Sequence, residues 1–184
     1  MDDPSKWNIF KFGNMVRYIV EEYPYKRNIR IIHYKRLHKL CYLCDFDFFE
    51  LYGRSITGST YVHGKEGPVP IYFDKTVKEL VTDDIIEYKN GYLKPCSKTT
   101  YRYSLYKCNY NSEMPNDSAL SDSEMETIDQ VLNRFSSKDT KTLTALVKDD
   151  TAWMLSRDCQ ALNYGFAYYR SPELTQRRDE DEIL

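Results

Sequence analysis

The sequence predicts a mainly α fold with a small antiparallel β-hairpin or sheet (α+β): a compact helical domain with a winged-helix-like helix–hairpin element. Three observations predict it. Apolar residues recur at helical spacing in two long N-terminal segments. An Asn-Gly pair stands between strand formers in "IIEYKNGYLKP", the strongest short hairpin signal. A polar, turn-rich stretch, "NSEMPNDSALSDS", then separates this part from further helical patterns.

In chain order, Phe12, Met15, Val16, Ile19, Val20 and Tyr23 mark one face of a first helix, stopped by Pro24. A second helix is expected from about Ile32 to Tyr52, ending at Gly53 as its C′ residue. Its stripe is Leu37, Leu40, Cys41, Cys44, Phe48 and Leu51, widened by Leu43, Phe46 and Phe49, so it should be a central, buried helix. The stretch "LYGRSITGSTYVHGKEGPVP" follows, holding four of the seven glycines and two of the seven prolines. It reads as a loop beside that helix. A third helix should face inward through Val77, Leu80 and Val81, before the Asn90-Gly91 hairpin. Residues 101–107 alternate as a further strand, with Tyr101, Tyr103 and Leu105 on one face. Ser123 and Glu126 are spaced as a capping box that opens a helix with Met125, Ile128, Leu132 and Phe135 inward. One or two short helices should occupy "DTKTLTALVKDDTAWMLSRD". The expected organisation is a core over 1–112, packed helices over 113–170 and an acidic, disordered tail over 171–184.

At 184 residues the chain can bury a core without disulfides or metal. No apolar run approaches the ~20 residues of a membrane span, and the N-terminus lacks a signal-peptide pattern. Five cysteines without framework spacing suit a reducing compartment. A soluble, cytoplasmic protein is therefore expected. The net charge of −2 conceals a split: residues 1–112 carry 18 Lys+Arg against 13 Asp+Glu, and residues 113–184 carry 8 against 15. Either the acidic part packs on a slightly basic core, or the core offers a basic face to a polyanion or an acidic protein.

Candidate chemistry is sparse. Cys41 and Cys44 share a helix face, but both fall on the apolar stripe, so they read as core rather than as zinc ligands. His33, His38 and His63 have no nucleophile elbow or equivalent motif, and no phosphate loop or dinucleotide fingerprint occurs. No enzyme, cofactor or metal is expected. Asp45 is the most informative side chain, because its helical neighbours are Cys41, Tyr42, Phe48 and Phe49. A carboxylate there must be paired or hydrogen-bonded, and backbone N–H groups or hydroxyls of the glycine-rich loop are its expected donors. The hairpin region 88–107 carries Lys89, Lys94, Lys98, Arg102 and Lys107 among tyrosines, a combination suited to stacking bases. The third helix, with Asp74, Glu79 and the following Asp83 and Asp84, is a poor recognition helix. Seventeen tyrosines instead favour a protein-binding face.

"KRLHKLCYLCDF" and "YGRSITGSTYVHGKEGPVP", taken together, resemble the SocA-like, or Panacea, antitoxin family, which includes phage-associated GepA proteins. Leu37, Lys39, Leu40, Tyr42 and Asp45 match its helix motif. Gly53, Arg54, Ile56, Thr57, Gly58 and Tyr61 match its loop, and Gly67, Pro68, Val69 and Pro70 the start of the next helix. "LTALVKDDTAW" is similar to its closing helix pair, and the likeness covers roughly residues 10–155. The resemblance implies a non-enzymatic module that neutralises a cognate toxin, encoded adjacently, by stoichiometric binding. It also implies an adaptor route to a Clp-type protease. Lys39, Tyr42, Asp45, Gly53, Thr57, Gly58, Gly67 and Pro68 would then be structural. Arg54, Tyr61, His63 and Lys65 would shape the exposed partner-binding surface. The basic segment 26–36 has no place in that pattern. The alternative is a winged-helix-like regulator that binds nucleic acid through the hairpin 88–107.

Overall fold

The computed structural model describes residues 7–27, 31–96 and 119–176. The expected strand over 101–107, most of the turn-rich stretch and the end of the acidic tail lie outside these residues. Helix α1 (Ile9–Arg27) buries Phe12, Met15, Val16, Ile19, Val20 and Tyr23, the face that the spacing predicts. Pro24 does not stop it. A proline in the last turn removes one backbone donor, and the helix continues to Arg27.

Strand β1 (Ile32–His33) replaces the expected start of the second helix. Its residues pair with the hairpin (Ile32 with Leu93, His33 with Tyr92), and α2 (Tyr34–Tyr52) begins only afterwards. His33 is its N-cap, with extended φ, and its ring Nδ1 accepts from the Lys35 N–H at 3.2 Å. Gly53 ends α2 in the left-handed region (φ 69°), with its N–H on the Phe49 carbonyl. From Arg36 to Phe48 every residue of α2 is buried, so it is the central helix of the core. Leu51 departs from the expected stripe and is 42% exposed, because the last turn runs past the neighbouring elements.

The glycine-rich stretch is not only a loop. It folds into an antiparallel hairpin, β2 (Tyr61–Gly64) and β3 (Gly67–Pro70), with Lys65 and Glu66 at the tip. Helix α3 (Phe73–Thr82) buries Phe73, Thr76, Val77 and Leu80. Val81, expected inward, is 37% exposed, since Val77 and Leu80 already occupy the narrow buried stripe. Strands β4 (Ile86–Lys89) and β5 (Tyr92–Pro95) meet at Asn90-Gly91, both with positive φ (53° and 82°), the signature of a type I′ turn. The sheet order is β1-β5-β4. Helix, short strand, two helices and a hairpin that pairs with the short strand make a winged-helix arrangement. The β2–β3 hairpin is inserted between its second and third helices.

Helix α4 (Asp122–Phe135) opens on a capping box, but its members are Ser121 and Glu124 rather than Ser123 and Glu126. The Ser121 side chain accepts from the Glu124 N–H while the Glu124 carboxylate accepts from the Ser121 N–H. Ile128, Val131, Leu132 and Phe135 are buried and Met125 is partly so. Helices α5 (Thr140–Lys148) and α6 (Thr151–Met154) follow, capped by Asp139 and Asp150. The chain then runs along β2 and turns through a 3-10 helix (Tyr164–Tyr169). The pass along β2 adds backbone bonds from the His63 N–H to the Gln160 carbonyl and from the Leu162 N–H to the Tyr61 carbonyl, both 2.8 Å.

Candidate functional site

The site begins with a buried carboxylate. Asp45 is fully buried and accepts from the Thr57 N–H (2.9 Å), the Thr57 hydroxyl (2.7 Å) and the Tyr61 hydroxyl (2.7 Å). Burial pushes its pKa up to about 6, opposed by the donors from Thr57, Tyr61 and Ile56. Gly58 makes the connecting turn with φ 67°, and its N–H donates to the Ser55 hydroxyl at 2.9 Å. Asp45 thereby pins the whole segment from Ser55 to Tyr61 onto α2.

Tyr61 is consequently fully buried, which corrects its expected place on an exposed surface. Its hydroxyl needs the acceptor on α2, and its ring packs edge-on against Tyr42 (5.5 Å). Tyr42 in turn lies 4.2 Å from Phe46, which stacks on Tyr164 at 4.4 Å. Arg54 is half-buried and committed within the protein. Its Nη1 donates to Glu124 at 3.1 Å, and its guanidinium lies 4.8 Å from the Phe48 ring centroid. Glu124 also receives Lys11 at 2.8 Å, so this one carboxylate joins α1, the post-α2 loop and the start of α4.

Lys39 lies under the β2–β3 tip with only 2% of its surface exposed. Its Nζ donates to the Lys35 carbonyl at 3.1 Å. Burial lowers its pKa to about 8; Glu66 opposes this, and Lys35 and Arg36 add to it. Gly67 (φ 110°) has no room for a side chain, because a Cβ there would meet Val147 Cγ2 at 2.9 Å and the Lys39 Cε at 3.6 Å. Pro68 is buried beside it, opposite His63 in the hairpin.

The outward part of the hairpin carries His63 and Lys65. Neither acts alone. The His63 ring lies flat on Trp153 (centroids 3.9 Å apart, 24° between planes). Its Nδ1 is 2.9 Å from the Ser156 hydroxyl, which itself donates to the Trp153 carbonyl at 2.8 Å. The Ser156 proton is thus committed to the Trp153 carbonyl, which leaves the hydroxyl oxygen to accept from the His63 Nδ1–H. Trp153 is held by its indole N–H on the Gly64 carbonyl (3.3 Å), and the Lys148 ammonium sits 4.9 Å from its ring centroid. Gly64 lets the two strands of the hairpin close, since a Cβ there would lie 2.7 Å from Val69 Cγ2. His63, Trp153 and Lys148 are packed together at the hairpin, whose turn exposes Lys65 and Glu66.

Sequence reading missed the lock behind this tip. Asp47, Asp150 and Arg170 are all buried. The Arg170 guanidinium donates to Asp47 and to Asp150 (2.8 Å), while Arg134 reaches Asp47 at 2.9 Å. Burial still outweighs both guanidiniums and leaves the Asp47 pKa raised. Gln176 and Thr175 donate to Asp47 and Glu50, fastening the end of the described chain to α2. The signal was in plain view, since Asp47 stands in "FDFFE" in the same apolar setting as Asp45. Its partner, 123 residues away in sequence, was not.

Cys41 and Cys44 are buried free thiols. Among the described residues, no group of three or more His, Cys, Asp or Glu side chains could hold a metal ion. No helix among them is long and apolar enough to cross a membrane. Comparison with curated proteins and with solved structures returns no match. Residues 37–154 match a family model described as antitoxin SocA-like, Panacea domain.

Proposed function

The chain belongs to the antitoxin SocA-like, Panacea domain family, and on that premise we propose that it neutralises a cognate toxin by direct, stoichiometric binding, without covalent chemistry. The observation that carries this reading is the rigid β2–β3 tip. The family match runs through the tether, the hairpin and α6, whose residues hold His63 against Trp153. Interfaces concentrate binding energy in a few well-held side chains, tryptophan prominent among them, and rigid presentation reduces the entropy lost on association. The partner-facing set is accordingly His63 and Lys65, joined by Trp153 and Lys148. Tyr61 acts beneath the surface, and the half-buried Arg54 is engaged by Glu124.

The test is co-expression with the product of the adjacent gene, followed by purification and measurement of toxicity. A one-to-one complex and restored growth are expected, with His63→Ala combined with Lys65→Glu weakening the complex at least about tenfold, the scale of one hot-spot contact. Growth restored without a complex would overturn direct binding. Hand-over of the toxin to a Clp-type protease is a separate step of the same reading. It predicts toxin levels that fall only when both this chain and the protease are present.

A further inference from the structure

The basic segment that the antitoxin reading leaves unused leads into the β1-β5-β4 sheet. Cross-strand partners point to the same side of a sheet. His33 pairs with Tyr92 and Tyr92 with Lys89, so these three form a row across the outer face. Two residues along, Glu87 pairs with Lys94, and Ile31 leads into β1 beside them. Leu93, Ile32 and Ile86 alternate to the inner face and are buried. Tyr92 and Ile31 are each 45% exposed, Glu87, Lys89 and Lys94 are exposed, and His33 is half-buried. Among the described residues no element covers this face.

Its charge is one-sided. Lys35 stands in the first turn of α2 next to His33, and Lys89 and Lys94 lie on the sheet. Against these cations the face carries one acid, Glu87, paired with Lys94 at 2.9 Å with both side chains about half exposed. Such a surface pair exchanges readily for another anion. His33 senses the field: its pKa is lowered by burial first and then by Lys35 and Lys39. The acids Asp83 and Asp84 sit at the opposite end of the hairpin from Asn90-Gly91.

We propose that the outer face of the β1-β5-β4 sheet binds single-stranded nucleic acid, with Lys35, Lys89 and Lys94 on phosphates and a base stacked on Tyr92. The aromatic surface favours a single strand, because a base can stack on Tyr92 only when unpaired. The exposed acids of α3, Asp74 and Glu79, disfavour entry of that helix into a duplex groove. The Tyr92 ring is braced edge-on by His33 at 4.9 Å (81° between planes), which fixes the stacking surface before ligand arrives. This activity is independent of the antitoxin reading and uses a different part of the molecule from the β2–β3 tip.

The experiment is fluorescence anisotropy of the full chain with a labelled oligothymidine, an oligouridine of equal length and a duplex control, over a salt series. Three phosphate contacts predict a log–log salt slope of about −2 on a single strand. Lys89→Glu with Lys94→Glu should weaken binding more than about tenfold and flatten that slope. Tyr92→Ala should weaken it at least about fivefold with the slope unchanged, while Tyr92→Phe retains affinity and shows that the sheet is intact. A preference for oligothymidine or oligouridine identifies the sugar and base recognised, and either supports the proposal. It is overturned by no binding at low salt, by tighter binding to the duplex, by wild-type affinity in Tyr92→Ala, or by an equal loss on Lys65→Glu.

Discussion

Asp45 turns three separate donors into one tether, so its removal harms more than its own bonds. Asp45→Ala leaves the Thr57 N–H, the Thr57 hydroxyl and the Tyr61 hydroxyl without their acceptor in a dry setting. A loss of about 3 kcal/mol is expected in chemical denaturation. Titration gives a second handle. The Asp45 pKa is raised to about 6 from 3.8, so the folded state holds a proton that the unfolded state has lost between those values. That contribution is present at low pH and is lost as pH rises through about 6. His38 has the opposite sign. Burial, then Lys39 and His33, lower its pKa to about 4 from 6.5, so its stability contribution rises with pH across that window. The two slopes oppose each other between about 4 and 6. Asp45→Asn removes one of them, and stability measured against pH should then climb more steeply over this range. An unchanged slope would show that Asp45 does not titrate there. Lys39→Met replaces a buried ammonium with an apolar chain of similar length, and a rise of about 1 kcal/mol in stability is expected. A fall would mean that the ammonium is compensated better than its burial indicates.

The elements around the tip are held by the stretch that follows α6. The stretch 159–176 lies alongside β2 through Cys159, Gln160 and Leu162 and delivers Arg170 between Asp47 and Asp150. Arg170→Ala strands two buried carboxylates, and a loss of about 3–5 kcal/mol follows from the cost of uncompensated charge. A chain ending at 158 should lose both the Arg170 lock and the Tyr164 stack on Phe46. A broadened, low-temperature thermal transition by circular dichroism is expected, although the family match itself ends at 154. A cooperative melt like that of the full chain would count against the lock. Gly64→Ala tests the hairpin itself. Its Cβ would meet Val69 Cγ2 at 2.7 Å and the Gly67 carbonyl at 2.9 Å, and the latter cannot move aside. A loss of about 1–3 kcal/mol is expected, with weaker partner binding because Gly64 also anchors Trp153.

At the scale of the whole molecule, the winged-helix frame and the inserted hairpin divide the surface between two different chemistries. The β2–β3 tip presents an imidazole stacked on an indole with the Lys148 ammonium beside it, and Lys65 and Glu66 exposed at its end. The sheet presents lysines around an open tyrosine. Salt separates them: neutralising several phosphates gives a steep fall in affinity with salt, whereas a protein contact centred on stacked aromatic groups depends on it less. A toxin complex weakened by Lys89→Glu with Lys94→Glu but unaffected by His63→Ala with Lys65→Glu would place the sheet, not the tip, at the protein interface.

The sequence by itself determined the helical core, the hairpin at Asn90-Gly91, the central helix with its buried cysteines, and the family. Each of these is written in local spacing or in a compound motif. Asp45 announced itself as well, because a carboxylate among aromatic neighbours must find donors nearby. Only the tertiary structure decided the rest. Ile32 and His33 are strand because Leu93 and Tyr92 are there to pair with them. Ser121 rather than Ser123 caps α4 because Glu124 is drawn to Lys11 and Arg54. Tyr61 is inside because its hydroxyl meets Asp45, and Arg170 sits between two acids that come from distant segments. Periodicity reports what a residue's neighbours in sequence require. Which polar group completes a buried charge depends on contacts between segments that no local pattern encodes.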